Sequence, residues 1–98
     1  MLFQVRFTPR ASDELRSFRK IEQKQVVEAV KTQLLHEPLS ITRNRKKLRP
    51  NELAEWELRI GDFRIFYDVD EADQIVSVRA VGYKTGSRLM INGKEFDL

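Results

Sequence analysis

The stretch from Trp56 to Val69 constrains this chain more than any other. Trp56, Leu58 and Ile60 alternate with polar residues, Gly61-Asp62 interrupts, and Phe63, Ile65, Tyr67 and Val69 resume the alternation. A period of two puts alternate side chains on opposite faces of a half-buried strand. Gly at the first position of a two-residue loop suits a type II′ turn, the geometry that matches the twist of paired strands. Such a loop fixes the register: 60 faces 63, 59 faces 64, 58 faces 65 and 57 faces 66. Arg59 and Arg64 become cross-strand neighbours, on the face away from Leu58 and Ile65. Like charges directly opposite cost a sheet from a few tenths to about 1 kcal/mol. Glu55, Glu57 and Asp68 fall on the same face and can offset that cost by pairing; a bound phosphate can offset it too.

The remaining elements assemble around this hairpin. Phe3, Val5 and Phe7 alternate with Gln4 and Arg6, which predicts a first strand over 2–7. Thr8-Pro9 is a helix start, because the Thr hydroxyl can accept from a free N–H and Pro at the first helical position forfeits no hydrogen bond. Ala11, Leu15 and Phe18 share one face of a short helix. Val26, Val27, Val30, Leu34 and Leu35 recur at three and four, giving a second helix that Pro38 ends near His36. Residues 39–54 lack periodicity and read as a loop, with one helical turn around Asn51 to Ala54. Ile75 to Val81 makes a further strand, and Asn92-Gly93 marks a small hairpin or extension. The expected fold class is α+β in the order β-α-α-β-β-β, with both helices on one face of an antiparallel meander and the other face left to solvent or a partner. The 98 residues suffice for one domain, 1–98.

The residue inventory excludes several chemistries. The sequence has no Cys, which removes disulfides, thiolate zinc sites and a Cys nucleophile, and one His, which removes a two-histidine metal site. No cofactor or metal is expected. His36, at a helix end, fits a favourable dipole contact better than catalysis. No apolar run approaches the roughly 20 residues of a membrane span, and a cytoplasmic protein is expected. Charge is unevenly placed: residues 1–50 hold twelve Lys and Arg against five Asp and Glu, +7, while residues 51–98 hold six against ten, −4. Arg43, Arg45, Lys46, Lys47 and Arg49 fall within seven residues. Such a cluster suits a polyanion such as RNA, and equally a solvated loop. Trp56 and Tyr67 read as cross-strand packing, and Phe3, Phe7 and Phe18 as core.

The basic run Arg45-Lys46-Lys47-Leu48-Arg49, the strands Trp56-Glu57-Leu58-Arg59-Ile60 and Asp62-Phe63-Arg64-Ile65-Phe66-Tyr67, and Ala80-Val81-Gly82-Tyr83-Lys84 together resemble the RelE/ParE toxin superfamily, more nearly its RelE branch. The resemblance runs from Phe3 over nearly the whole chain. It implies a type II toxin that pairs with a cognate antitoxin, whose best-known relatives enter the ribosome and cleave mRNA without a metal. In that chemistry the RNA 2′-hydroxyl attacks the adjacent phosphate. The protein must activate the hydroxyl, stabilise charge on the phosphorane and protonate the leaving 5′-oxygen.

By this resemblance Arg64 matches the strand arginine on the scissile phosphate, and Lys84 the basic residue after the Val-Gly pair. Arg59 would assist, and Arg45, Lys46, Lys47, Arg49 and Arg88 would hold the RNA backbone. The departures are Glu55 and Glu57, where the best-known ribonuclease has lysines, and Arg88, Leu89 and Met90, where a tyrosine is expected. Glu57 can serve as a base or as a salt-bridge partner of Arg59 or Arg64. Two alternatives follow from the same resemblance: a ParE-like inhibitor of DNA gyrase, and a degenerate toxin that only joins its antitoxin in a complex on operator DNA.

Overall fold

The hairpin forms in the expected register. In the computed structural model, which describes residues 2–98, β3 (Trp56–Ile60) and β4 (Phe63–Asp70) pair with Ile60 opposite Phe63, Arg59 opposite Arg64 and Leu58 opposite Ile65. Gly61 carries φ +57°, which the first position of a II′ turn requires. Before the hairpin come β1 (Gln4–Phe7), α1 (Pro9–Arg16), α2 (Lys20–Leu34) and β2 (Arg45–Lys47); after it come β5 (Ile75–Thr85), β6 (Arg88–Ile91) and β7 (Lys94–Phe96).

The strands form one sheet in the order β2-β3-β4-β5-β6-β7, antiparallel throughout, with β1 added parallel to β5. A register shift between Phe66 and Tyr67 sets these against Ala80 and Val78, so Arg79 is the extra residue of a bulge in β5. Thr8 caps α1 by accepting from the Ala11 N–H at 3.1 Å. Where β1 has ended, Glu14 of α1 takes over the β5 edge. Its buried carboxylate accepts the Val81 N–H at 2.9 Å and holds Arg10 Nε at 2.9 Å, satisfying a donor that would otherwise be buried unpaired.

Both helices lie on one sheet face, as the pattern implies. Ala11, Val26, Val30 and Leu34 pack against Trp56, Leu58, Ile65, Tyr67, Val76, Val78 and Val81. Trp56 and Tyr67 stack with centroids 6.1 Å apart, and the Tyr67 hydroxyl donates to the Pro38 carbonyl at 2.7 Å, tying the loop after α2 to the core.

Three expectations are corrected. The basic segment is not wholly loop: Arg45–Lys47 form an edge strand pairing with Trp56 to Leu58. The meander has more than three strands, because the chain after Val81 continues as β5 to Thr85 and then as β6 and β7. Asn51 to Ala54 is an Asx turn rather than a helical one, with Asn51 Oδ1 accepting from the N–H groups of Leu53 at 2.7 Å and Ala54 at 3.1 Å. These additions also cover the second face, which was expected to be open. Leu53, Ala54, Leu89 and Ile91 pack over Phe66 and Ala80, with Leu48 and Phe96 at the margin.

Candidate nucleic-acid cleft

The second face carries buried apolar residues and buried charges side by side. Glu57 and Arg64 are 5% and 7% exposed, against 0% for the neighbouring Phe66 and Ala80. Between the basic strand and the C-terminal hairpin lies an open cleft of about 780 Å³, lined by Lys46, Lys47, Arg49, Glu57, Lys84 and Arg88, with Glu95 and Asp97 on the hairpin side. Six of the side chains expected from sequence to form the site thus meet at one depression. They come from β2 and the following loop, from β3, from the end of β5 and from the start of β6.

Strand alternation in β2 turns Lys46 to the Glu57 face, while Lys47 reaches the cleft from the open edge of the sheet. Lys46 and Lys47 are exposed, and Lys46 Nζ stands 3.8 Å from Glu57 Oε1, its cross-strand neighbour. Arg45 turns inward instead. Its guanidinium is buried and Nη1 donates to the carbonyls of Gln33, at 3.2 Å, and Glu37, closing the C-terminal end of α2. Arg45 was expected on the RNA backbone; the structure gives it a helix end to hold and keeps it out of the cleft.

Gly82 brings the hairpin close. A Cβ at that position would stand 2.5 Å from the Met90 carbonyl oxygen and 2.8 Å from Ile91 Cγ1, so only glycine lets β6 approach β5 here. Arg64 lies opposite Gly82 across the β4–β5 pair and opposite Arg59 across the β3–β4 pair. Its Nη1 donates to the carbonyls of Gly61 at 2.8 Å and Phe63 at 2.9 Å, which braces the guanidinium over the hairpin turn. Arg59 itself is exposed. Among the described residues neither arginine has a carboxylate within ion-pair distance. The salt bridge from Glu57 to Arg59 or Arg64 does not form, and Asp68 is engaged by Arg79 at 2.8 Å and by the Glu55 N–H at 2.8 Å.

The electrostatic result is a cation held in unfavourable surroundings. Burial first, and the Arg59 charge second, push the Arg64 pKa below the ordinary arginine value, with Glu57 and Asp62 opposing them. A group whose charged form is penalised in this way gains from any anion brought beside it. Lys84 stands at the same end of the sheet, its N–H bonded to the Asp62 carbonyl at 2.7 Å. Arg64 and Arg59 are not among the residues that line the cleft; Lys84 and Glu57 are, and Arg64 lies opposite Gly82, two residues before Lys84 on β5. Among the described residues, no group of three or more His, Cys, Asp or Glu can hold a metal ion, and no helix is long and apolar enough to cross a membrane.

Sequence reasoning missed Glu95, Asp97 and the apolar lid of Leu89, Ile91 and Phe96. The available signal was Asn92-Gly93: both residues have positive φ, +53° and +77°, as a two-residue type I′ hairpin turn needs. Treating that turn as certain sets Met90 opposite Glu95 and Leu89 opposite Phe96, the pairing observed.

A small α+β protein with two helices on one sheet face and a cationic cleft on the other is the class that fold and site define. Residues 5–86 match the family model for the ParE toxin of type II toxin-antitoxin systems, and the chain belongs to that family. The wider RelE/ParE superfamily is thus the one its motifs indicate. Among solved structures, it is similar to the toxin-antitoxin complex RelBE2 of Mycobacterium tuberculosis, with TM-score 0.73 and 28% identity over 86% of this chain and 100% of that one. The archaeal RelE-RelB complex of Pyrococcus horikoshii shares the fold at TM-score 0.70 and 20% identity, covering 88% of this chain and 99% of that one. No curated protein matches the chain.

Proposed function

We propose that this toxin is a ribosome-dependent mRNA endoribonuclease that inhibits translation in the cytoplasm and is held in check by a cognate antitoxin. The observation that carries the reading is Arg64: a buried guanidinium opposite a second arginine, beside a cleft whose cations come from β2, β5 and β6. That is a phosphate site joined to a track for an RNA backbone. The 2′-oxygen of the RNA forms a bond to phosphorus as the bond to the 5′-oxygen breaks, leaving a 2′,3′-cyclic phosphate and a free 5′-hydroxyl. Glu57 takes the 2′-hydroxyl proton, and Arg64 and Lys84, assisted by Arg59, stabilise the phosphorane oxygens. The Lys84 ammonium gives the leaving 5′-oxygen its proton, and Glu57 returns a proton to Lys84 through solvent. Lys46, Lys47, Arg49 and Arg88 hold the flanking phosphates. No step needs a metal or cofactor. The antitoxin's expected contribution is an acidic segment that folds as it covers the cleft, and operator DNA is reached only through that complex.

A second reading is supported by two observations: the matching family model is that of ParE, and Glu55 and Glu57 stand where the best-known ribonuclease has lysines. In it the chain binds DNA gyrase and performs no cleavage. Pulse labelling after induction of the toxin separates the two. Loss of protein synthesis before DNA synthesis is expected here; early DNA arrest with intact mRNA would select the gyrase reading.

A further inference from the structure

The C-terminal hairpin brings Glu95 and Asp97 to a cleft whose other charged lining residues, Glu57 apart, are cations. Arg88 Nε donates to Glu95 Oε1 at 3.1 Å across the Asn92-Gly93 turn, and both residues line the cleft beside Lys84. The hairpin is anchored independently of that pair, because Leu89 and Ile91 are buried in the second apolar cluster and Phe96 packs against it. Glu95 is thus presented on a fixed support, and its side chain remains 56% exposed to whatever enters.

We propose that Glu95 is a selectivity residue: it competes with RNA phosphate for Arg88, lowering the cleft's affinity for polyanions at large. This inference rests on the reading of the cleft as an RNA site. A phosphate reaching Arg88 must displace a carboxylate already in place, so a strand held at the other cations and at Arg64 succeeds where a loosely bound polyanion does not. An exposed ion pair of this kind is weak enough to exchange rapidly, which suits a competitor and not a lock.

The test is fluorescence anisotropy with a labelled single-stranded RNA of about a dozen nucleotides. It compares the full chain with E95Q, R88Q and the double variant over a salt series, after thermal melts confirm folding. E95Q is expected to bind about threefold tighter at low salt, with the slope of log affinity against log salt steeper by about one phosphate contact. In the R88Q background, E95Q is expected to change neither quantity. Equal tightening in both backgrounds would reduce the effect to net charge and overturn the proposal, as would an unchanged E95Q. If wild type binds and E95Q is silent, or if none of the four proteins binds, the proposal fails; the RNA reading itself falls only if mRNA also stays intact on translating ribosomes.

Discussion

The two faces of the sheet are made from the same strands and obey different rules. On the helix-covered face the inward positions of β3, β4 and β5 hold apolar and aromatic side chains, and the Tyr67 hydroxyl is bonded to Pro38. On the cleft face, Phe66, Ala80, Leu89 and Ile91 are joined by two buried charges: Glu57, paired with Lys46 at 3.8 Å, and Arg64, which among the described residues has no carboxylate within ion-pair distance. Apolar packing accounts for most of the first face, and its two buried charges are held by partners: Glu14 by the Val81 N–H and Arg10, Arg45 by the carbonyls of Gln33 and Glu37. The second holds in Arg64 a buried charge whose pKa is lowered by burial and by Arg59, and charges perturbed in this way cluster at functional sites.

Adjacent residues of β4 test that contrast, because Ile65 points to one face and Arg64 to the other. Ile65→Ala is expected to cost about 2–5 kcal/mol of stability by denaturant titration while leaving the specific activity of folded protein unchanged. Arg64→Ala is expected to lower ribosome-dependent cleavage by roughly a hundredfold or more, with stability altered by less than about 1 kcal/mol. Similar losses of stability in both variants would erase the difference between the faces.

Gly82→Ala sharpens it by acting on the cleft wall. The added methyl meets backbone and Ile91, so a loss of about 1–3 kcal/mol is expected, together with weaker RNA binding as β6 shifts. Tyr67→Phe is the mildest, about 1–2 kcal/mol from the orphaned Pro38 carbonyl. It also carries a pH signature. Burial raises the Tyr67 pKa above that of an unfolded tyrosine, near 10. The unfolded state therefore loses its proton first, and the stability that Tyr67 confers below about pH 10 declines as pH rises past it. Melts of wild type and Tyr67→Phe should accordingly keep their separation up to about pH 10 and converge above it.

How much was legible follows the same division. The helix-covered face obeys a period of two on strands and of three to four on helices, so the β3–β4 register and the Trp56–Tyr67 pair follow from spacing alone. Lys46, Lys47, Arg49, Lys84 and Arg88 could be placed together only by the superfamily resemblance, because they lie on three separate strands and a loop. Arg45 went astray for a physical reason: in a run of cations nothing in composition tells which one the strand pleat turns inward to meet a helix end. The cover over the second face was hidden by shortness, since β6 and β7 span 4 and 3 residues and too few alternations exist to show a period.

The central claim is that the cleft cuts mRNA on the ribosome. Primer extension on an mRNA in a reconstituted translation reaction, with purified toxin and with or without ribosomes, tests it most directly. The account predicts discrete cuts that require ribosomes and disappear in Arg64→Ala. Intact mRNA in the presence of actively translating ribosomes and folded wild-type toxin would contradict it.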